Sequence, residues 1–126
     1  MIPDTHAPIL KSNALAHLAT LGADGELQST PVWFDWDGER LVLNTNKSRK
    51  KYRNLVAHPR VAVSIADPDD PIHYLEIRGT AELEDDPDQA IINSLAQKYM
   101  GQDYPFMQPG EERVTVRVTP EHVTFQ

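Results

Sequence analysis

Residues 15–45 read LAHLATLGADGELQSTPVWFDWDGERLVLNT, and this stretch decides the fold. Apolar and polar residues alternate in three short runs, which predict β-strands at 15–21, 27–36 and 40–45. Asp-Gly pairs at 24–25 and 37–38 separate these runs, and such pairs favour tight hairpin turns. The first part of the chain is therefore predicted to form an antiparallel meander.

Helical patterns occur at three places, one before the strands and two between them. The spacing of apolar residues predicts a helix over 48–58 with Ser48 as N-cap, and Tyr52, Leu55 and Val56 on its apolar face. A second helix follows Asp86-Pro87 and ends at Gly101, and a short one is predicted over 4–12.

Alternation returns between and after the helices. Further strands are predicted at 60–66, 73–83, 113–118 and 122–125. Within the second of these, Gly79 marks a bulge or a close approach of another segment. Six or seven short antiparallel strands with no βαβ rhythm indicate one mainly β domain over residues 1–126, a small closed or split β-barrel.

The composition excludes several classes of function. The 126 residues contain no Cys, which excludes disulfides, thiolate metal sites and a Cys nucleophile. The five His residues show no metal-ligand spacing, so no metal site is predicted. No dinucleotide fingerprint, P-loop or G-x-S-x-G elbow occurs.

Charge and hydropathy also limit the partners. A formal net charge of −7 argues against binding of nucleic acid or of an anionic membrane, since both require a positive surface. No run of eighteen apolar residues or leader pattern occurs, so a cytoplasmic location is expected.

One segment of this acidic chain is strongly basic. Residues 47–53, KSRKKYR, hold five of the twelve Lys and Arg residues. They lie at the start of a predicted helix, where the helix dipole disfavours cations and favours anions. A multiply charged anion held between these side chains and the free backbone N–H groups would explain the arrangement. A solvated basic face is the alternative.

The strand over 27–36 carries large apolar residues on both faces. Val32, Phe34 and Trp36 share one parity, while Pro31 and Trp33 share the other. One face is predicted to meet the barrel core, and the other a subunit interface or a planar ligand. Trp33 taken by itself is equally compatible with a lone surface residue.

The order and spacing of several short motifs resemble a known family. The motifs are DG at 24–25, STPVWF at 29–34, NT at 44–45, RKKYRNL at 49–55, HPRV at 58–61, YLEIRG at 74–79, KY at 98–99, YPF at 104–106 and PGEERV at 109–114. Together they resemble the deazaflavin (coenzyme F420)-dependent branch of the pyridoxamine 5'-phosphate oxidase-like, FMN-binding split β-barrel proteins.

The resemblance implies a homodimer of six-stranded antiparallel split barrels, with cofactor in two grooves at the subunit interface. Arg49 and Lys51 match the positions that grip the cofactor phosphate, with Lys50, Asn44 and Thr45 adjacent. Gln28, Thr30 and Val32 match strand positions that flank the tricyclic ring. Tyr74 matches a position near the cofactor, contributed from either subunit.

The function that this resemblance implies is a coenzyme F420-dependent oxidoreductase, which passes hydride from the reduced deazaflavin to an electron-poor small molecule. FMN in the same groove is the alternative cofactor, and a non-catalytic deazaflavin or flavin carrier is the alternative function. An oligoglutamate tail on the deazaflavin would favour the extra cations Lys47 and Arg53. Because the cofactor carries the chemistry, no catalytic side chain or substrate is predicted from the sequence.

Overall fold

Both Asp-Gly pairs form turns of the predicted kind. Asp24 Oδ1 accepts a hydrogen bond from the Glu26 N–H over 3.0 Å, and Asp37 Oδ1 accepts one from the Arg40 N–H over 2.7 Å. Gly25 and Gly38 have φ values of 85° and 102°, a region that favours glycine. The structure is a computed structural model that describes every residue from 1 to 126.

The elements follow one another in the predicted order. The strands are β1 (Ala16–Leu21), β2 (Leu27–Val32), β3 (Asp35–Trp36), β4 (Leu41–Asn46), β5 (Arg60–Asp67), β6 (Asp70–Asp85) and β7 (Arg113–Phe125). The helices are α1 (Lys50–Ala57) and α2 (Ala90–Met100), preceded by a short 3₁₀ helix, Ala7–Lys11, in place of the predicted helix over 4–12. Neither α1 nor α2 has the length and apolar character needed to cross a membrane.

The sheet is antiparallel throughout and curls on itself. Its strand order is β2-β1-β5-β6-β7-β4-β3, so β2 and β3 are opposite edges. These edges are consecutive in the chain and are joined only through Trp33 and Phe34, which forces the sheet to curve into a split barrel. The predicted fold class is confirmed. The strand count is seven, one more than the resemblance implies: the predicted strand over 27–36 is divided into β2 and β3, while those over 113–118 and 122–125 are joined in β7.

Side chains from α2 hold this division in place. The Phe34 N–H donates to Tyr99 Oη over 3.3 Å, and the Phe34 carbonyl accepts a hydrogen bond from Lys98 Nζ over 2.7 Å. Tyr99 Oη also donates to the Ala14 carbonyl over 2.6 Å. Because the backbone of Phe34 bonds to side chains instead of a strand, its buried ring can enter the core at the crossing point.

The inner face of the curled sheet forms the hydrophobic core. Seventeen buried residues make one cluster, which includes Leu18, Leu43, Val63, Ile77 and Val116 from five strands. The alternation that identified these strands in the sequence is the alternation between this core and the outer face.

The pairing of the long strands β6 and β7 is interrupted by a bulge beside Gly79. The pairing shifts register between Arg78 and Gly79, which leaves Glu121 as an extra residue on β7. A Cβ at position 79 would lie 2.0 Å from the carbonyl oxygen of Thr119. Both predicted roles of Gly79 are therefore confirmed. The bulge also lets β7 continue where two separate strands were predicted.

Helix α1 buries a face that is shifted from the predicted one: Leu55 is buried and Tyr52 half-buried as expected, but Val56 is not. Its buried residues are Lys51, Asn54 and Leu55, whereas Val56 is 61% exposed. Ser48 is not the N-cap, because its hydroxyl donates to Asn46 Oδ1 over 2.6 Å and Arg49 takes the capping position without a side-chain hydrogen bond. The helix therefore turns a lysine toward the barrel.

Candidate functional site

Lys51 is a largely buried residue whose ammonium group reaches the surface and has no partner within the chain. It lies in the first turn of α1 and is only 6% exposed, yet its ammonium group makes no hydrogen bond and no ion pair within the chain. Burial lowers the pKa of Lys51 below its ordinary value of 10.5, and the positive charges of Arg49 and Arg113 lower it further. A partly desolvated charge gains from a counter-ion, and this ammonium group is accessible from outside, so the arrangement fits an anion supplied by a ligand.

The start of α1 adds to this positive site. Arg49 is the N-cap and is exposed, and its charge lies close enough to act on Lys51. The first N–H groups of a helix have no partner within the helix and attract anions. The structure therefore brings the predicted pair Arg49 and Lys51 together, while the side chain of Lys50 is exposed to solvent.

Two other cations of the basic segment have partners within the chain. Lys47 Nζ lies 3.2 Å from Asp85 Oδ1 and 3.4 Å from Glu112 Oε2, and hydrogen bonds to both raise its pKa. Arg53 Nη1 donates to the Ser48 carbonyl over 3.0 Å. The ion pairs of Lys47 weaken the expectation that it binds an extended anionic tail, whereas Arg53 forms no ion pair and keeps its charge unneutralised.

Arg113 is a site residue that the sequence analysis did not single out. It begins β7 and is 9% exposed; its Nε donates to Asn44 Oδ1 and its Nη1 to Glu111 Oε2, each over 2.9 Å. The guanidinium lies 5.0 Å from the ring centre of Tyr104. Only the pairing of β4 with β7 brings Arg113 to this place, 69 residues from Asn44 in the chain.

Asn44 links this arginine to the start of α2. Its Nδ2 donates to Asp86 Oδ2 over 3.1 Å, and the Asp86 carboxylate accepts hydrogen bonds from the N–H groups of Ile91 and Ile92. Gln89 takes the N-cap position without a side-chain hydrogen bond, and the Asp86 carboxylate satisfies N–H groups of the first turn instead. Thr45 is buried and projects from the opposite face of β4, so the predicted neighbours Asn44 and Thr45 are divided.

The predicted ring-flanking residues share one face of β2. Gln28, Thr30 and Val32 pair with Thr20, Leu18 and Ala16 of β1 and are half-buried on the inner side. Gln28 Oε1 is buried and has no hydrogen-bond partner. Asn54, one turn after Lys51 on α1, donates to Thr20 Oγ1 over 3.0 Å. Thr20 of β1 therefore connects the two elements, since it pairs with Gln28 on β2 and accepts the hydrogen bond from Asn54 on α1.

Tyr74 is not brought to this site within one chain. It lies near the start of β6 and pairs with Ala66. The other end of β6, at Asp85, pairs with Val114 beside Arg113. The two ends of a strand of sixteen residues are far apart, so the prediction that Tyr74 contacts a cofactor requires a second subunit.

A cavity of about 390 Å³ opens beside Asn44 and Arg113. Its other lining residues are mostly apolar and include Pro31, Val32, Trp33, Tyr104 and Phe106. Trp33 stacks on Tyr99 with ring centres 5.3 Å apart, and Tyr104 meets it edge-on at 6.2 Å. Trp33 is therefore part of a cavity wall and not a lone surface residue. The chain holds no group of three or more His, Cys, Asp or Glu placed to bind a metal.

Comparison with known proteins gives a consistent result. The sequence profile of the pyridoxamine 5'-phosphate oxidase family matches residues 2–126. A solved structure described as an F420 reductase is 38% identical with a TM-score of 0.87, over 98% of each chain. The conserved hypothetical protein Rv2991 from Mycobacterium tuberculosis is 25% identical with a TM-score of 0.79, over 99% of this chain and 84% of that one.

A more distant likeness shows the fold alone. HutZ, the heme storage protein from Vibrio cholerae, is 17% identical with a TM-score of 0.72, over 98% of this chain and 94% of that one.

Proposed function

Because the chain belongs to the pyridoxamine 5'-phosphate oxidase family, we propose that it is an oxidoreductase that uses reduced coenzyme F420 to transfer hydride to an electron-poor organic molecule. The choice of F420 is supported by the 38% identity to a structure described as an F420 reductase. When bound, the deazaflavin supplies the hydride, and the protein supplies position, orientation and charge.

The observation that carries this proposal is the unpaired ammonium group at the accessible end of the largely buried Lys51 side chain. Its position at the start of α1, beside Arg49 and Arg113, suits the phosphate of a flavin-type cofactor. A bound phosphate would give Lys51 the counter-ion that the chain itself does not provide. Lys51 and Arg49 are accordingly the leading phosphate ligands, and Lys50 is an outer contact.

The half-buried face of β2 suits the ring of the same cofactor. Gln28 Oε1 has no partner within the chain. The pyrimidine part of a flavin or deazaflavin carries an N–H group, from which Gln28 Oε1 could accept a hydrogen bond. Thr30 and Val32 continue the same face. Gln28 therefore orients the ring, while Thr30 and Val32 pack against it.

A second copy of the chain completes the groove in this proposal. Strand β2 is an open edge of the sheet, and its Leu27 is 79% exposed. Exposed edges and apolar side chains are features that association covers. A homodimer would also allow Tyr74 of one subunit to reach the cofactor held by the other.

FMN is the competing cofactor, because it offers the same ring system and a phosphate. The ion pairs of Lys47 remove one argument for the oligoglutamate tail of F420. Titration of the purified chain with F420 and with FMN, followed by fluorescence, measures the preference directly. Tighter binding of FMN would replace F420 in the proposal, and micromolar binding of neither would overturn both.

The same titration tests the role of Lys51. Lys51→Met should weaken cofactor binding at least tenfold, since it removes the unpaired charge but keeps the length of the side chain. Lys11→Met, an exposed lysine on the 3₁₀ helix, is the matched control and should bind as the unaltered chain does.

An enzyme and a carrier differ in turnover. Reduced cofactor bound to the protein should be reoxidised by at least one member of a panel of quinones, enones and tetrapyrroles. Binding without any reoxidation would assign the chain as a non-catalytic carrier.

A further inference from the structure

Arg113 has one nitrogen that the protein leaves free. Its Nε is bonded to Asn44 and its Nη1 to Glu111, whereas Nη2 forms no hydrogen bond within the chain. Arg113 also lines the cavity and acts electrostatically on Lys51. A guanidinium with one nitrogen available at a cavity can bind a phosphoryl oxygen.

Glu111 is the only carboxylate that pairs with Arg113. Its Oε2 lies 2.9 Å from Arg113 Nη1, and both side chains are largely withdrawn from solvent. The Asp86 carboxylate is nearby but bonds to Asn44 and to the backbone of α2 instead. With Glu111 in place, Arg49, Lys51 and Arg113 still leave an excess of two positive charges.

We propose that Arg113 is a third ligand of the phosphoryl group and that Glu111 is a built-in counter-ion, which weakens phosphate binding by holding the same guanidinium. This inference rests on the proposed function for the phosphate site, but it concerns residues of β7 and of the preceding loop. Glu111 balances part of the buried charge when the site is empty and competes with the ligand for Arg113 when it fills.

The arrangement explains why a buried ion pair lies at the rim of a cavity. A structural pair would be satisfied on all sides, because unpaired buried polar groups are costly. Here the guanidinium is satisfied on the strand side by Asn44 and on the loop side by Glu111, and is left open toward the cavity.

The test uses the full chain and inorganic phosphate as the probe, so that it does not depend on which cofactor binds. Phosphate affinity is measured by ³¹P NMR titration at constant ionic strength. Arg113→Gln should weaken phosphate binding about tenfold, as expected for loss of a charged hydrogen bond. Glu111→Gln should strengthen it about threefold or more, since the competing negative charge is removed.

Arg117→Gln is the matched control, because Arg117 lies on the same strand and also pairs with a glutamate, Glu84. It should leave phosphate affinity unchanged. Circular dichroism shows whether Arg113→Gln folds. If it does not, Arg113→Lys takes its place and should retain part of the phosphate affinity, while Glu111→Gln should still raise that affinity.

The outcomes are distinct. A lower stability of Glu111→Gln with unchanged affinity would show a purely structural pair and overturn the inference, as would the absence of phosphate binding by the unaltered chain. If phosphate binding follows the expected pattern but neither F420 nor FMN binds, the proposed function fails and the inference stands. If F420 or FMN binds but the variants do not change phosphate affinity as expected, the inference fails and the proposed function stands.

Discussion

Asn44 joins Arg113 to Asp86 through one carboxamide: its Oδ1 accepts from Arg113 Nε over 2.9 Å, and its Nδ2 donates to Asp86 Oδ2 over 3.1 Å. Both ends of the side chain are therefore used within the protein. Asn44 acts on the candidate phosphate site by holding Arg113, and it ties that site to the start of α2.

Replacing Asn44 should affect stability and anion binding together. Asn44→Ala leaves Arg113 Nε without its acceptor, and we expect a loss of about 1–3 kcal/mol in the free energy of unfolding. Phosphate affinity should fall as well, because Arg113 loses its orientation. Urea unfolding and ³¹P NMR titration measure the two effects. Asn46→Ala, whose bonds are to exposed atoms of Ser48, should cost less than about 1 kcal/mol.

Replacing Lys51 should stabilise the ligand-free protein. Lys51→Met removes a partly desolvated charge without a partner and keeps the volume of the side chain, so the free energy of unfolding should rise by up to about 1 kcal/mol. Urea unfolding without phosphate in the buffer measures this change. Lys11→Met, at an exposed position, should stay within about 0.5 kcal/mol of the unaltered chain. A destabilised Lys51→Met would mean that Lys51 has a structural partner.

The lowered pKa of Lys51 predicts how stability depends on pH. Between that lowered pKa and 10.5, the unfolded chain binds a proton at Lys51 that the folded chain has lost. The free energy of unfolding should therefore rise with pH across this interval, and fall as the pH drops through the pKa of the folded state.

The contribution of Lys51 is the difference between the unaltered chain and Lys51→Met. Burial also lowers the pKa of Lys98 and raises that of Tyr99, but both residues are present in the two proteins. Urea unfolding at intervals from neutral pH to pH 10.5 should give a steeper rise for the unaltered chain. Parallel curves for the two proteins would contradict the prediction.

The hydroxyl of Tyr99 should stabilise the division between β2 and β3. Tyr99→Phe keeps the stacking on Trp33 but removes the hydrogen bonds to Ala14 and Phe34, and we expect a loss of about 1–3 kcal/mol. Chemical denaturation checks this value. Tyr52→Phe is the control, since the Tyr52 hydroxyl forms no hydrogen bond, and it should unfold at the same denaturant concentration as the unaltered chain.

Gly79 of β6, beside the bulge in β7, should tolerate no side chain. Gly79→Ala would place a Cβ 2.0 Å from the Thr119 carbonyl oxygen, which the paired backbone of β7 cannot avoid. We expect a loss of about 3 kcal/mol or a failure to fold. At Gly101, where φ is 72° and the space is open, Ala should cost only about 1 kcal/mol. Thermal unfolding of both variants compares the two effects, and similar melting temperatures would be inconsistent with the close contact.

The elements of this fold are determined by local patterns in the sequence. The Asp-Gly pairs at 24–25 and 37–38 set the turns, because glycine accepts the positive φ that they require. Alternation identifies the strands, since successive side chains of a strand point to opposite faces of a sheet. The basic segment at the start of α1 likewise predicts an anion site from residues that are neighbours in the chain.

Only the tertiary structure decides which charges remain available in that site. Lys47 is neutralised by Asp85 and Glu112, which are distant in sequence, whereas Lys51 is buried and left unpaired. The pairing of β4 with β7 places Arg113 in the site. Stacking on Tyr99 holds Trp33 in the wall of the cavity. The burial of a side chain and its ion pairs depend on contacts between segments that are distant in the chain. The periodicity within one segment therefore cannot predict them.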